Sequence, residues 1–192
     1  NAYGWILGGE DVALNAIFNI TNHAIFNEIK LNNNNFTIGA NARFEQINLR
    51  YQSTHFHEEY INYDYYNPIY DTTYVNTDYH DNLLAGKLSM SYQFDSNSNM
   101  YLSISNGYKS GGVNQNPRLS EDNRLYKPEF NQNLDFGYKY KGQDSYLSLN
   151  VFYMLRNDLQ VNLSSQQDST NPNSFYFYTS NASDGYNCGM TL

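Results

Sequence analysis

Cysteine is nearly absent from this chain of 192 residues. Cys188 stands alone, which excludes an internal disulfide framework and a cysteine-rich zinc module. Charge is also scarce, at 16% of residues, and basic residues are the scarcer kind, with 11 Lys+Arg against 19 Asp+Glu. The formal net charge of -8 is wrong for a phosphate backbone, so no nucleic acid is expected as a partner. No stretch approaches the roughly 18 consecutive apolar residues of a transmembrane helix. The opening "NAYGWILGGE" has no basic n-region, so it is not expected to act as a secretory leader. Helix start and stop signals are weak throughout. No Ser/His/Asp or Cys/His arrangement stands out, and no GK[ST] follows Gly111 and Gly112. Neither an enzyme nor a cofactor is expected.

Aromatic residues are plentiful instead: 20 Tyr and 11 Phe bring the aromatic share to 17%. "KLSMSYQFDSNSNMYLSISNGYK" (87–109) shows how they are used. Large apolar residues alternate with small polar ones on both sides of a short polar turn. Period-two alternation marks a strand whose two faces meet different surroundings. The same reading predicts eight strands, at 3–10, 23–31, 36–51, 82–94, 99–109, 129–141, 145–161 and 175–192. Tight polar turns are expected at 32–35, 95–98 and 142–144. Longer connections are expected at 11–22, 52–81, 110–128 and 162–174. In an antiparallel meander the tight turns fall on one rim and the long loops on the other. Transmembrane β-barrels sort their connections this way, while soluble sandwiches have no reason to.

Register sharpens the expectation. Pairing across the turns sets Leu31 opposite Phe36, Ile29 opposite Ile38, Phe94 opposite Met100, Tyr92 opposite Leu102 and Met90 opposite Ile104. Around 142–144 it sets Tyr140, Tyr138, Phe136 and Leu134 opposite Leu147, Leu149, Val151 and Tyr153. Each hairpin then has one apolar face without charge. Arg43, Lys87, Lys109, Glu129, Asp135, Lys139 and Arg156 are expected on the other face, lining a wet lumen. Cys188 falls on the apolar side, which is expected to meet outer-membrane lipid. The fold class read here is all-β, an antiparallel up-and-down meander of long strands forming part of a transmembrane barrel. An open curved sheet is expected. The alternative is a soluble sandwich whose inner faces pack together.

"NGYKSGGVN" (106–114), "YKPEFNQNLDFGYKYKG" (126–142) and "YLSLNVFYMLRNDLQV" (146–161) resemble later barrel strands of TonB-dependent outer-membrane receptors. "FTIGANARFE" (36–45) and "TSNASDGYNCGMTL" (179–192) resemble two further strands of that family, and the segments come in the family's order. The resemblance implies one partial barrel domain over residues 1–192. It also implies an importer of a scarce nutrient of the iron-siderophore, haem or cobalamin type. Energy would come from TonB through parts of the receptor outside this chain. Asn106 stands where the family often has Arg, and Thr191 where it often has Glu, so neither is read as a charged site. A passive porin or adhesin-type barrel is the second reading, and a soluble glycan-binding sandwich the third.

Two long connections carry the candidate site. Tyr60, Tyr63, Tyr65, Tyr66 and Tyr70 crowd the first, among Glu58, Glu59, Asp64 and Asp71. Tyrosine offers a rigid apolar face and a hydroxyl with few rotamers to freeze. These residues, with Arg118 and Arg124 of the second connection, are expected to bind a small molecule or metal chelate. A structural tyrosine ribbon is the plainer alternative. His55 and His57 lie on one side of an extended strand and could hold zinc with Glu58 or Glu59. Solvated loop histidines explain them as well, and no metal is expected. Gly111 and Gly112 are expected to mark a strand end with unusual backbone angles.

Overall fold

The computed structural model describes residues 5–7, 10–59, 69–116, 119–166 and 175–192, and within the strands the side chains outside 5–14 and 57–71. The strands are β1 (Trp5–Leu7), β2 (Glu10–Asn33), β3 (Phe36–Glu59), β4 (Ile69–Gln93), β5 (Ser98–Lys109), β6 (Gly112–Val113), β7 (Leu125–Tyr126), β8 (Glu129–Lys141), β9 (Tyr146–Asn157), β10 (Gln160–Gln166), β11 (Phe175–Asn181) and β12 (Gly185–Thr191). Eight form one sheet in the order β1-β2-β3-β4-β5-β8-β9-β12, and β6-β7 and β10-β11 form two small ribbons. Every pairing is antiparallel. The sheet does not close, so β1 and β12 are its edges. This is the expected open meander.

The pairing corrects the sequence reading in several places. Residues 11–22 are strand, not connection, and lie along 47–58 of β3. Most of 52–81 is also strand: β3 continues to Glu59 and β4 begins at Ile69. Residues 11–22 carry their apolar side chains on the opposite phase, and 52–59 and 69–81 mix polar and apolar residues on both phases, so a search for a constant apolar face misses all three. The first two hairpins are shifted by two residues from the expected register. Leu31 pairs with Ile38, and Ile29 with Ala40. Tyr92 pairs with Met100, and Met90 with Leu102. The asparagine tract is half strand: only Asn34 and Asn35 turn, with Asn34 at φ 50. Asparagine tolerates that left-handed conformation better than most residues. In the second turn the Asp95 carboxylate accepts the N–H groups of Asn97 (2.7 Å) and Ser98 (2.8 Å). A shift of two leaves every side chain on its expected face, as a shift of one would not. The four pairs expected around 142–144 are all present.

The predicted strands 145–161 and 175–192 each break in two. Asp158 has φ 52, so β9 stops at Asn157 and β10 leaves the main sheet to pair with β11. Part of the predicted connection 162–174 is therefore strand as far as Gln166. Residues 182–184 separate β11 from β12, which returns to β9. The Asn157-Asp158 dipeptide was the available signal.

Register then assigns the faces. One face carries Ile25, Ile29 and Leu31 on β2, Ile38 and Phe44 on β3, and Leu84, Leu88 and Met90 on β4. It continues through Leu102 and Ile104 on β5, Leu134 and Phe136 on β8, and Val151, Tyr153 and Leu155 on β9. These residues are exposed, the reverse of a water-soluble fold. Between Phe36 and Phe44 the band spans nine residues, the number a tilted transmembrane strand needs, about 9–11. At the short-turn rim it ends in an aromatic belt. Phe36 and Tyr92 have ring centroids 4.6 Å apart, and Phe94 meets Tyr92 edge-on at 4.9 Å. At the other rim the first residue past the apolar run is an amide on five strands: Gln46, Asn82, Asn106, Gln132 and Asn157.

Beyond this amide row the phase inverts. The residues now buried lie on the opposite face: Ile47 and Tyr51 of β3, and Tyr79 and Leu83 of β4. Tyr51 and Leu83 have no exposed surface at all. Strands of 24 and 25 residues, about 80 Å at ~3.3 Å per residue, are long enough to cross a bilayer and then build a second, aqueous-type core above it.

Prediction: in the intact outer-membrane protein, Leu102→Arg places a charge in the middle of the apolar band. It should cost about 2–4 kcal/mol in denaturant unfolding from lipid vesicles. Lys87→Gln, on the polar face, should change stability by no more than ~0.5 kcal/mol.

Candidate functional site: the mouth at the long-loop rim

The segment 110–128 folds across the inner face of the β3–β4 projection. Val113 of β6 enters the cluster formed by Ile47, Tyr51, Tyr79 and Leu83. The Tyr51 hydroxyl donates to the Gln115 carbonyl at 3.0 Å. Gly111 and Gly112 permit this contact through their size. Neither has the positive φ expected from sequence. A Cβ on Gly111 would lie 2.3 Å from the Tyr126 carbonyl oxygen and 2.5 Å from the Tyr79 hydroxyl, and one on Gly112 would lie 2.6 Å from the Tyr126 hydroxyl. Close approach, not a special backbone angle, requires glycine at both positions.

Side-chain amides, buried at Asn114 and half-buried at Gln160 and Asn181, tie the same segment to the β10–β11 ribbon. Asn114 donates to the Asn123 carbonyl (2.9 Å) and the Thr179 carbonyl (2.8 Å), and accepts the Thr179 N–H (2.8 Å). Gln160 donates to the carbonyls of Ser110 (2.8 Å) and Lys127 (3.0 Å). Asn181 accepts the Lys127 N–H (2.7 Å) and donates to the Lys127 and Asp158 carbonyls (3.0 and 2.8 Å). Asparagine is so common in this chain that sequence alone does not single out Asn114 or Asn181.

Arg124 is buried within its own segment, donating to the carbonyls of Asn116 (2.7 Å) and Leu119 (2.8 Å). Tyr60, Tyr63, Tyr65, Tyr66 and Arg118 lie outside the described residues. Tyr70 is placed only by backbone, opposite Glu58 in β4. Arg43, Lys87, Lys109, Glu129, Asp135, Lys139 and Arg156 share one face of the sheet, the face opposite the apolar band. Three of them, Arg43, Glu129 and Arg156, sit in tight groups. Buried Glu129 accepts from Arg156 Nε (2.9 Å) and from the Gln160 N–H (2.9 Å). Buried Glu45 accepts from Arg43 Nη2 (2.8 Å), from the Asn22 amide and from the Tyr108 hydroxyl. The β4–β5 ladder ends at Gly86↔Asn106, and past this point Tyr108 turns across to Glu45. His55 is buried, and no group of three metal-binding side chains occurs among the described residues.

Tyr79 donates to the Asp81 carboxylate at 2.7 Å. Burial, then this hydrogen bond, raises its phenol well above the usual tyrosine range. Burial also raises Tyr126. A group whose folded pKa is raised gives stability that is complete below its unfolded value and lost as pH climbs beyond it.

Between the segment and the ribbon lies an open cleft of about 440 Å³, lined by Val113, Gln115, Tyr126, Asn162, Phe177 and Tyr178 among others. That volume falls within the ~300–1,000 Å³ usual for small-molecule sites.

Long antiparallel strands with an exposed apolar band, an aromatic belt, tight turns on one rim and a folded mouth on the other define a segment of an outer-membrane β-barrel. The chain belongs to the family described as TonB dependent receptor-like, beta-barrel, whose model matches residues 5–189. Its place is the bacterial outer membrane. Among solved structures it is similar to the ferric yersiniabactin uptake receptor FyuA from Yersinia pestis, with TM-score 0.67 and 20% identity. That similarity covers 98% of this chain and 26% of the receptor's. A second match is the ferric-catecholate import receptor Fiu from K12 E. coli, with TM-score 0.40 and 13% identity over 98% of this chain and 34% of that one. The chain thus spans about a quarter to a third of these receptors. No curated protein sequence matches it.

Two predictions follow from the mouth. Asn114→Ala leaves the Thr179 N–H and carbonyl without their partner, at about 1–3 kcal/mol for each group left unpaired. Amide exchange at Thr179 in the intact protein should accelerate accordingly, while Leu102 keeps its protection. The packing of 110–128 on β4 should hold up to about pH 10, the ordinary tyrosine value, and loosen above it. Tyr79→Phe should lessen that alkaline loosening and leave the part due to Tyr126, as read by exchange of the Gly112 and Val113 amides from pH 8 to 11.

Proposed function

We propose that residues 1–192 form part of the barrel domain of an active importer that draws energy from TonB through segments outside this chain. The nutrient is a bulky, scarce compound of the iron-siderophore, haem or cobalamin type. The observation that carries this reading is the mouth: a segment folded inward over the sheet and joined to a second ribbon by side-chain amide hydrogen bonds. A freely open pore has no need for such a structure. Arg43, Lys87, Lys109, Glu129, Asp135, Lys139 and Arg156 line the wet lumen below it, and the apolar band meets lipid. Tyr60, Tyr63, Tyr65, Tyr66, Tyr70 and Arg118 complete the ligand-gathering surface above. Arg124 supports that surface by holding its loop. Loops on a rigid scaffold are where recognition residues are usually carried.

The test is uptake through the full-length receptor in cells with and without TonB. Uptake should stop without TonB. Uptake that continues unchanged identifies a passive barrel. Changing Tyr63, Tyr65 and Tyr66 together to Ser should reduce surface binding at least tenfold at unchanged barrel abundance. Unchanged binding would make these tyrosines a structural ribbon.

A further inference from the structure

We propose that the outward face of β2, β3 and β4 above the amide row is a docking surface for the hydrated sugar headgroup of a glycolipid in the surrounding leaflet. This rests on the reading that the apolar band below it meets lipid. It does not depend on the compound transported.

The first observation is continuity with the band. His23 of β2, Gln46 of β3 and Asn82 of β4 are paired neighbours, and the next level on the same face is Thr21, Asn48 and His80. Both levels share the parity of Phe44 and Leu84, so the apolar face runs up into them without a break. Asn48 is half-buried and the other five are exposed. Side chains placed here meet whatever follows the acyl chains.

The second observation is that the two rims differ in chemistry. The short-turn rim ends in Phe36, Tyr92 and Phe94. Outer-membrane barrels ordinarily carry such an aromatic girdle at both interfaces. Here the two levels above the band hold no Trp, Tyr, Phe or Lys. Gln46 Nε2 donates to Asn82 Oδ1 at 3.3 Å, and His80 Nδ1 donates to Asn48 Oδ1 at 2.8 Å. These bonds tie the side chains across the strands and leave the other half of each carboxamide open. Donors and acceptors are then both available, as sugar hydroxyls require. A phosphate requires donors and a counter-charge instead. The cation of the next level, Arg50, is paired with Asp78 at 2.8 Å.

The third observation is height. The same face continues to Gln52, paired with Ile17 and Asn76. From Gln46 to Gln52 is roughly 20 Å of strand at ~3.3 Å per residue, or about 14 Å of height at a ~45° tilt. The polar layer of a phospholipid leaflet is only about 5–8 Å deep, taking half the difference between whole and hydrocarbon thickness. An open groove of about 360 Å³, lined by Asn19, Thr21, Asn48, Arg50, Asp78 and His80 among others, occupies the part beyond the first level. A headgroup of two or more sugar rings reaches it, and a phospholipid headgroup stops short.

The experiment places p-benzoylphenylalanine at Asn48, or at Leu88 within the band, of the full-length receptor. The receptor is held in phosphatidylcholine vesicles with one lipid in five replaced by digalactosyldiacylglycerol or by phosphatidylglycerol. Photocaptured lipid is identified by mass. The Leu88 probe should capture each lipid in proportion to its share. The Asn48 probe should capture the digalactosyl lipid about fivefold beyond its share, the effect of one net hydrogen bond, and phosphatidylglycerol only at its share. Gln46→Leu with Asn82→Leu should remove the excess while capture at Leu88 is unchanged. The inference is overturned if the digalactosyl lipid is captured only in proportion, if the excess survives the double substitution, or if phosphatidylglycerol is the lipid in excess. In cells the Asn48 probe should yield sugar-bearing lipid adducts. Protein adducts in their place would make this face a protein interface and overturn the inference. Failure of Leu88 to capture lipid removes the lipid reading of the band and the inference with it. TonB-dependent uptake stands or falls separately from all of these outcomes.

Discussion

A backbone that crosses hydrocarbon cannot leave its N–H and C=O groups unpaired, and the rest of this structure depends on that constraint. Each unsatisfied group costs several kcal/mol where water is absent. Lateral pairing of consecutive strands meets the requirement with the shortest connections, and every neighbour in the main sheet is antiparallel. Once the backbone is paired, side chains alternate strictly between the two faces. The apolar set from Ile38 to Leu155 then has only one direction to point. The tight turns need residues that accept unusual geometry or supply their own hydrogen bonds. Asn34 does the first and Asp95 the second.

The same strands serve two solvents in succession. Below the amide row the apolar residues face outward. Above it the buried ones face inward, where Tyr51, Tyr79 and Leu83 are covered by Val113 from the segment 110–128. The inversion needs no irregularity in β3 or β4, only a change in which parity carries the large side chains. It explains why strands of 24 residues remain ordered well beyond the band. A sheet of three strands, β2–β3–β4, needs a covered apolar face to be stable in water, and here the inward fold of 110–128 supplies that cover. Gly111 and Gly112 allow contact on one side of that cover, and Asn114, Gln160 and Asn181 hold the other.

The membrane-facing half was legible because one rule, period-two alternation, holds without interruption there. Even where the hairpins at 32–35 and 95–98 slip by two residues, Ile29, Met90 and Leu102 stay on their face. The rule is silent about the outer half. Residues 11–22 alternate on the other phase and 52–59 do not alternate clearly at all, so they read as connections although they continue β2 and β3. The break at Asp158 depends on one left-handed residue. The amide ties of the mouth are long-range: Asn114 and Thr179 are 65 positions apart. No local pattern announces such a pair. Arg124 illustrates the same limit, since a loop arginine read as a ligand contact donates to its own loop's carbonyls.

The central claim is that the buried face of these strands switches at the amide row because the surroundings switch from lipid to water. Spin-label accessibility in the full-length protein in a bilayer tests it most directly. With Cys188 replaced by Ser, labels go one at a time to Ile38, Leu88 and Phe136 below the row and to Arg50, Asp78 and His80 above it, all on one face. The account predicts strong relaxation by oxygen and protection from a water-soluble nickel reagent at the first three, with the reverse at the second three. Equal access of the nickel reagent to both sets would contradict it.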